Sequence, residues 1–543
     1  MINFRATISR ANRRLPLKLA ATLLAGSSLL ASILGLFRDR LLNGLYFDTY
    51  PTGIDAYTVA FTIPDFMFFI LVSGALSVTF IPVFNQRLAT GNKKSAWELS
   101  TSLLNLLALV TLATSVLIII FADPLVRYVV GPGLDESSRS LAVSMMRVIA
   151  INPFLFAIAT VFASMQQAVG RFAFFALAPV LYNIGIIIGA VFFTNGINLF
   201  GWHVFDGGIM GVALGVVLGS MLQLIVSSLG LFGMGFDYRF KIYWKNKGLH
   251  QVLRLLPPRS LDQGIDYVNS IVETNLASRL AAGSVRAYQQ ATALSFVPIN
   301  LIGVAISTAA FPKMTERLGE GRPDLFKKEL QSVLRVIVWL ALPVAVIAYF
   351  GRGYLVSFIK NGGDAYIASI LGILVLTILF RSIYFISARS FYAQQDTKTP
   401  LYISIFTISL NIVLAVWFTM GLGMGVYGLA WAAVIVAGVE VSILFSIMSR
   451  RIEGLFDKPF VHAIGRMASA SGFTAIVAYI MVVMLPLSAA DQSFFSAFPK
   501  FTIIASVSAL SYIIICRLFK LEEVNPILHR IRNILFKEPA VKE

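Results

Sequence analysis

About fourteen stretches of this 543-residue chain run almost free of charge for long enough to cross, or nearly cross, a ~30 Å hydrocarbon core. They begin near residues 17, 57, 98, 141, 172, 208, 258, 285, 328, 365, 400, 425, 464 and 497, and those at 258 and 285 are broken by polar residues. Lipid offers the backbone no hydrogen-bond partner, so each stretch has to satisfy its own amides and carbonyls as a helix. With 57% hydrophobic and only 13% charged residues, the composition excludes an ordinary soluble domain. The expected fold class is an all-α polytopic membrane protein.

The chain is also written twice. Ala56-Tyr57 recurs as Ala287-Tyr288, Phe80 as Phe311, Glu98-Leu99 as Glu329-Leu330, Gln166-Gln167 as Gln394-Gln395 and Asn183-Ile184 as Asn411-Ile412, all about 230 residues apart. Six segments per copy start the second copy on the same side as the first, which makes two parallel six-helix repeats. A duplicated apolar chain of this kind is the usual build of a secondary transporter. The domain reading follows: a terminal segment at 1–16, a first lobe at 17–234, an amphipathic linker at 235–259 and a second lobe at 260–449. Two extra C-terminal helices at 450–519 have no counterpart in the duplication, and an amphipathic tail at 520–543 closes the chain.

Lysine and arginine gather on alternate connections: the N-terminus, Arg87-Lys93-Lys94, Arg171, the stretch from Arg239 to Arg259, Lys313 to Lys328, Lys398, Arg450-Arg451 and the tail. Positive charge stays inside, so both termini are expected to be cytoplasmic. The net charge of +17 is this bias together with attraction to anionic membrane lipids. Nucleic acid is not an expected partner, because no basic soluble domain is present. Cys516 is the only cysteine and the four histidines are scattered, so no metal site is expected. No GxSxG, HExxH or P-loop pattern marks an enzyme.

Charged side chains at membrane depth are costly and therefore candidates for function. Asp262, Asp266, Asn269 and Glu273 step by four, three and four residues along one helical face. Such a stripe either lines a hydrated cavity or forms an ion-pair ladder. Arg38 and Asp39 end the first segment, Asp55 opens the second, and Asp65 follows Pro64, where the proline frees backbone groups. A charge cluster on the outer face is the plainer account of Arg38, Asp39 and Asp55. Arg381 and Glu440 could pair with one another, snorkelling accounts for Arg335 and Arg389, and helix–helix hydrogen bonding accounts for Asn183 and Asn411.

Specific strings then point to a family. RSFYAQQDTKTP from Arg389, LGLFRD from Leu34, QQAVGRF and ALAPVLYNI between Gln166 and Ile184, and the GPGL loop at Gly131 resemble the MurJ/MviN lipid II flippases. The resemblance spans nearly the whole chain. It implies the multidrug/oligosaccharidyl-lipid/polysaccharide exporter superfamily, with two six-helix lobes around a V-shaped cavity and two added helices forming a groove for a lipid tail. It also implies a substrate, undecaprenyl-pyrophosphate carrying the peptidoglycan disaccharide-pentapeptide. Of the cavity arginines typical of that family, Arg38 is kept, while Ser32, Phe68 or Phe69, and Ala293 stand at the others. Glu273 matches a family position that resembles a sodium ligand, with Asn411 a second candidate ligand.

The expected function is therefore a flippase, not an enzyme, moving lipid II or a related polyprenyl-pyrophosphate glycolipid from inner to outer leaflet of the bacterial plasma membrane. Arg38, Asp39, Asp55, Asp65, Asp266 and Asn269 are the candidate substrate contacts. Glu273 and Asn411 are the candidate coupling site, for Na+ or H+, and no other cofactor is expected. The peptidoglycan synthesis machinery is the expected protein partner. Two alternatives stay open: a cation-coupled exporter of another polyprenyl-linked glycan or drug, and a transport-inactive envelope scaffold, against which the acidic stripe argues.

Overall fold

The computed structural model describes residues 17–199, 202–488 and 491–525, so the expected N-terminal segment 1–16 and most of the expected amphipathic tail lie outside the described residues. Among those described, 13 helices are long and apolar enough to cross a membrane. The remaining expected span, near residue 258, lies within a helix of 32 residues, Lys247–Ser278, which carries the polar stripe and is not one of the 13. The protein is thus a multi-pass, all-α membrane protein. One two-stranded hairpin, β1 (Ile197–Leu199) with β2 (Trp202–Phe205), is the exception.

The chain divides into two compact units between Arg286 and Ala287. The first holds α1 (Leu17–Tyr46), α2 (Pro51–Leu71), α3 (Ser73–Ala89), α4 (Lys93–Pro124), α5 (Glu136–Ile149), α6 (Asn152–Ala168), α7 (Ala173–Phe192), α8 (Met210–Leu229) and α9 (Lys247–Ser278). It ends just inside α10 (Ser284–Ile299). The last part of the linker, from Lys247, and the span near residue 258 were expected as separate elements. They form one helix instead, continuing through Pro257-Pro258. Its first turns are anchored, because Leu249 and Val252 pack into a core with Phe80, Phe84, Leu99 and Met165. By sequence α9 opens the second repeat, yet it packs on α2 and α3 of the first.

The tightest pair in this unit is α7 against α8, and glycine is the reason. Gly185 and Gly189 face Gly215 and Gly219 so closely that a Cβ at Gly185 would lie 2.2 Å from the Gly219 Cα. Small residues four apart let two backbones touch and gain dispersion that lipid cannot match. Gly185→Val should cost on the order of 3 kcal/mol, since the obstructing atoms are backbone and cannot step aside. Gly26→Val, where nothing lies within 4 Å, is the control. A thermal midpoint for Gly185→Val equal to that of the control would refute the close-packing account.

The second unit holds the rest of α10, α11 (Ala305–Gly319), α12 (Pro323–Phe350), α13 (Arg352–Ser357), α14 (Ala365–Leu374), α15 (Leu376–Ala393), α16 (Lys398–Val416), α17 (Val426–Arg451), α18 (Lys458–Met484) and α19 (Phe494–Leu518). The two helices outside the duplication, α18 and α19, pack on each other and on α12. Trp339 meets Tyr512 with ring centroids 5.8 Å apart, and the Tyr354 hydroxyl donates to the Leu485 carbonyl. Their other faces carry exposed Phe473, Ile476, Tyr479, Phe495 and Leu510, as lipid-facing helices do.

Candidate functional site

A charged network lies where the end of α1, the start of α2, the middle of α7 and the first turn of α10 come together. Asp39 accepts from two guanidinium groups, the Arg38 Nη2 at 3.1 Å and the Arg286 Nη2 at 3.2 Å. Arg38 also donates through Nη1 to the Asn183 Oδ1 at 3.0 Å. Asn183 in turn donates to the Ala31 and Pro179 carbonyls, so its amide oxygen is fixed towards the arginine. Arg286 is nearly sealed from solvent and donates through Nε to the Asn43 Oδ1 at 3.0 Å. Arg38 keeps a quarter of its side chain exposed. Its five-donor fork therefore has N–H groups left over on the Nη atoms.

Asp55 caps a helix. Its two oxygens accept from the backbone N–H of Gly283, at 2.7 Å, and of Arg286, at 2.8 Å. The first amides of a helix have no partner within it, and a carboxylate there also meets the positive end of the helix dipole. The carboxylate comes from another helix, so it fastens the beginning of α10 to α2. Buried Asp55 thus lies in the network through its backbone contacts rather than as an open charge.

Arg286 is the member that sequence reasoning missed, and the duplication carried the signal. Ile54-Asp55-Ala56-Tyr57 aligns with Val285-Arg286-Ala287-Tyr288, so the acid of one repeat matches the base of the other. The two equivalent positions touch.

The remaining candidates are more dispersed. Asp65, half-buried on α2, makes no hydrogen bond or ion pair among the described residues. Glu273 and Asn269 are joined on α9, the Asn269 Nδ2 donating to the Glu273 Oε1 at 2.9 Å. The side chains of Asp262 and Asp266 lie outside the described residues. Asn411 is buried on α16, in the second unit. Phe68 and Phe69, standing where an arginine was expected, belong to an aromatic cluster. Phe69 stacks on Tyr267 at 4.2 Å, Phe68 meets Phe156 at 5.4 Å, and Phe156 meets Tyr182 at 5.3 Å.

In the second unit Arg381 pairs with buried Glu440 at 3.3 Å, and Ser404 and Thr407 donate to the same carboxylate, tying α15, α16 and α17 together. Arg389 does not snorkel: it donates to the Ser307 hydroxyl and to the Val304 carbonyl, at the end of a π-helical turn that loosens the usual backbone bonds. Arg335 pairs with Glu523. Within RSFYAQQDTKTP, Asp396 accepts from the Thr399 hydroxyl at 2.6 Å and from Arg451 at 2.7 Å. Partial burial pushes its pKa up, but the bonds from Thr399 and Arg451 outweigh that and hold it at about 2. A folded pKa below the unfolded value of about 4 stabilises the native state above pH 4 and ceases to do so as pH falls through 2. The gap in thermal midpoint between wild type and Asp396→Asn should therefore be widest at neutral pH and close between about pH 4 and pH 2. A gap independent of pH would show that Asp396 acts only as a turn-forming residue.

Thirteen apolar spans among the described residues, in two compact units with charged networks inside them, define a polytopic helical membrane protein of transporter architecture. Known folds agree. The chain superposes on a lipid II flippase MurJ in its inward closed conformation with a TM-score of 0.73, 24% identity, and coverage of 92% of this chain and 98% of that one. A multidrug resistance MATE family transporter of the MOP superfamily, in its inward-facing conformation, gives 0.66 at 18% identity, covering 79% and 96%. A sequence model described as Lipid II flippase MurJ matches residues 51–502, and the chain belongs to that family. Curated relatives include a probable lipid II flippase MurJ of Thermotoga maritima, 26% identical over 92% of this chain and 96% of that protein. The lipid II flippase MurJ of Burkholderia cenocepacia is 27% identical over 70% and 74%.

Proposed function

We propose that the protein moves lipid II, the undecaprenyl-pyrophosphate disaccharide-pentapeptide, from inner to outer leaflet of the bacterial plasma membrane by alternating access, with both termini cytoplasmic. The observation that carries this reading is the family match across residues 51–502. The chemistry at Arg38 supports it. A diphosphate and its sugars cannot enter hydrocarbon unaided. A guanidinium oriented by Asp39 and Asn183 and still partly exposed presents planar donors suited to phosphate oxygens. The test is rescue of a cell depleted of its own lipid II flippase. Growth should be restored by the wild-type chain; failure at normal membrane expression would reject lipid II as the substrate.

One observation favours a second reading, export of another polyprenyl-linked glycan. The Phe68–Phe69–Phe156–Tyr267 cluster makes this part of the first unit aromatic where the family resemblance implies a cation. A glycan with less charge near its anchor would suit such a surface better. Partners in peptidoglycan synthesis follow from the first reading and not from the second.

Coupling is assigned to Glu273, with Na+ or H+ as the ion. Its carboxylate, bonded to Asn269 on the stripe, is an oxygen donor of the kind that binds a hard cation or takes up a proton. Asn411 is the second candidate ligand by family resemblance. An ion biases the transporter only by its difference in affinity between two states. Glu273→Gln should fix one state and stop turnover without unfolding the protein. Accessibility of single cysteines introduced on each face, measured in a Cys516→Ser background across pH and sodium concentration, should respond with Glu273 present and not in Glu273→Gln. A wild type indifferent to both variables would remove Glu273 from the coupling role.

A further inference from the structure

Away from the charged network, two cavities of the first unit share a wall. One, of about 1140 Å³, opens between the turn before α4, the segment leading into α9, and the first turns of both helices. It is lined by Arg87, Lys94, Lys241, Lys245 and Lys247, against a single acid, Glu98. Among the described residues none of these four lysines is ion-paired with a carboxylate. Arg87 is held in place by the Ser95 hydroxyl at 3.1 Å. Two long helices also begin here, capped by Asn92 and Asn246, and their positive ends add to the field.

The other cavity, about 1130 Å³, is apolar and is bounded by Leu104, Ala108 and Leu112 of α4 and Phe154, Ile158 and Phe162 of α6. Lys241 and Ile242 belong to both cavities. The strip that divides them is fixed rather than loose. Asn105 donates to the Arg239 and Lys241 carbonyls and accepts from the Tyr238 hydroxyl, while the Ser102 hydroxyl accepts from the Tyr243 backbone N–H. Phe240 is 91% exposed on its rim, with Tyr238 and Trp244 about half exposed, as aromatic residues are at a headgroup boundary.

A cationic chamber joined to an apolar one has the chemistry of an acidic amphiphile. We propose that this face binds an anionic phospholipid, with its phosphate among Lys241, Lys245 and Lys247 and its acyl chains against Ala108 of α4 and Phe154, Ile158 and Phe162 of α6. A soluble anion would use the lysines and leave the apolar chamber idle. The assignment is independent of which substrate the protein transports.

The test uses the full chain reconstituted in phosphatidylcholine vesicles carrying increasing amounts of dibrominated phosphatidylglycerol, with dibrominated phosphatidylcholine as the comparison. The contribution of Trp244 to the fluorescence is isolated by subtracting the signal of Trp244→Phe. Quenching of Trp244 should saturate at a several-fold lower fraction of the anionic lipid than of the zwitterionic one. The Lys241→Gln/Lys245→Gln/Lys247→Gln variant should raise the half-quenching fraction several-fold, to that of the zwitterionic lipid. Ala108→Phe, which fills the apolar chamber and leaves the cations in place, should raise it as well. Added inorganic phosphate should not relieve the quenching. Equal quenching by both lipids, an unchanged triple variant, an unchanged Ala108→Phe variant, or full relief by phosphate would each overturn the proposal, the last by showing a site for soluble anions.

Discussion

Arg38→Ala is expected to abolish lipid transport, and Arg38→Lys to keep only part of it. The guanidinium is placed by two fixed acceptors, Asp39 on its own helix and Asn183 on α7. Alanine removes the charge and the fork together. Lysine keeps a point charge with three donors and no planar fork, too few to hold both acceptors and grip two diphosphate oxygens as well. Asn183→Ala should fall between wild type and Arg38→Ala, because the arginine stays but loses one of its two supports. The measurement is rescue of flippase-depleted cells at matched membrane expression, with extrusion of labelled lipid from vesicles as the direct assay. Near-normal transport by Arg38→Ala would show that substrate recognition lies elsewhere in the chain.

The second large effect is structural. Arg286→Ala should destabilise the first unit by about 3 kcal/mol, the lower end of the range for breaking a buried ion pair, because Asp39 keeps Arg38 as a partner. The loss comes chiefly from leaving the buried Asn43 amide oxygen without this donor and Asp39 with one cation fewer. The backbone bonds from Gly283 and Arg286 to Asp55 survive the substitution, so the start of α10 should stay attached to α2. Asp39→Asn combined with Arg286→Met should recover part of the thermal midpoint. Asn43 lacks this donor in both variants, so the recovery comes from position 39, where a neutral amide needs no second cation and its oxygen can still accept from Arg38. If the double variant is no more stable than Arg286→Ala, the ion pair is not what holds this junction.

Much of the architecture was legible from periodicity alone. Apolar length identified the spans, because a helix is what a chain in lipid can form without leaving backbone groups unpaired. The glycines that seat α7 on α8 were equally open to reading, at Gly185 and Gly189 and at Gly211, Gly215 and Gly219, since spacing by four puts them on one face. Arg38 and Asp39 stood out as charges at the end of an apolar segment. Arg286 did not, because a charge just inside a helix start looks like an ordinary interfacial residue.

By itself, then, the sequence determined the class of protein and the family, and it is the source of the expected duplication and two added helices, all of which rest on local hydropathy and on strings of adjacent residues. Tertiary structure decided who meets whom. It paired Asp39 with two arginines, one of them 247 positions away, turned Asp55 into the cap of another helix, and placed α9 with the helices of the first repeat. It also set a basic cavity beside an apolar one across a single strip of chain. The physical reason is that burial fixes how much charge a site can hold, but only the folded backbone fixes the few ångströms over which a hydrogen bond or an ion pair acts.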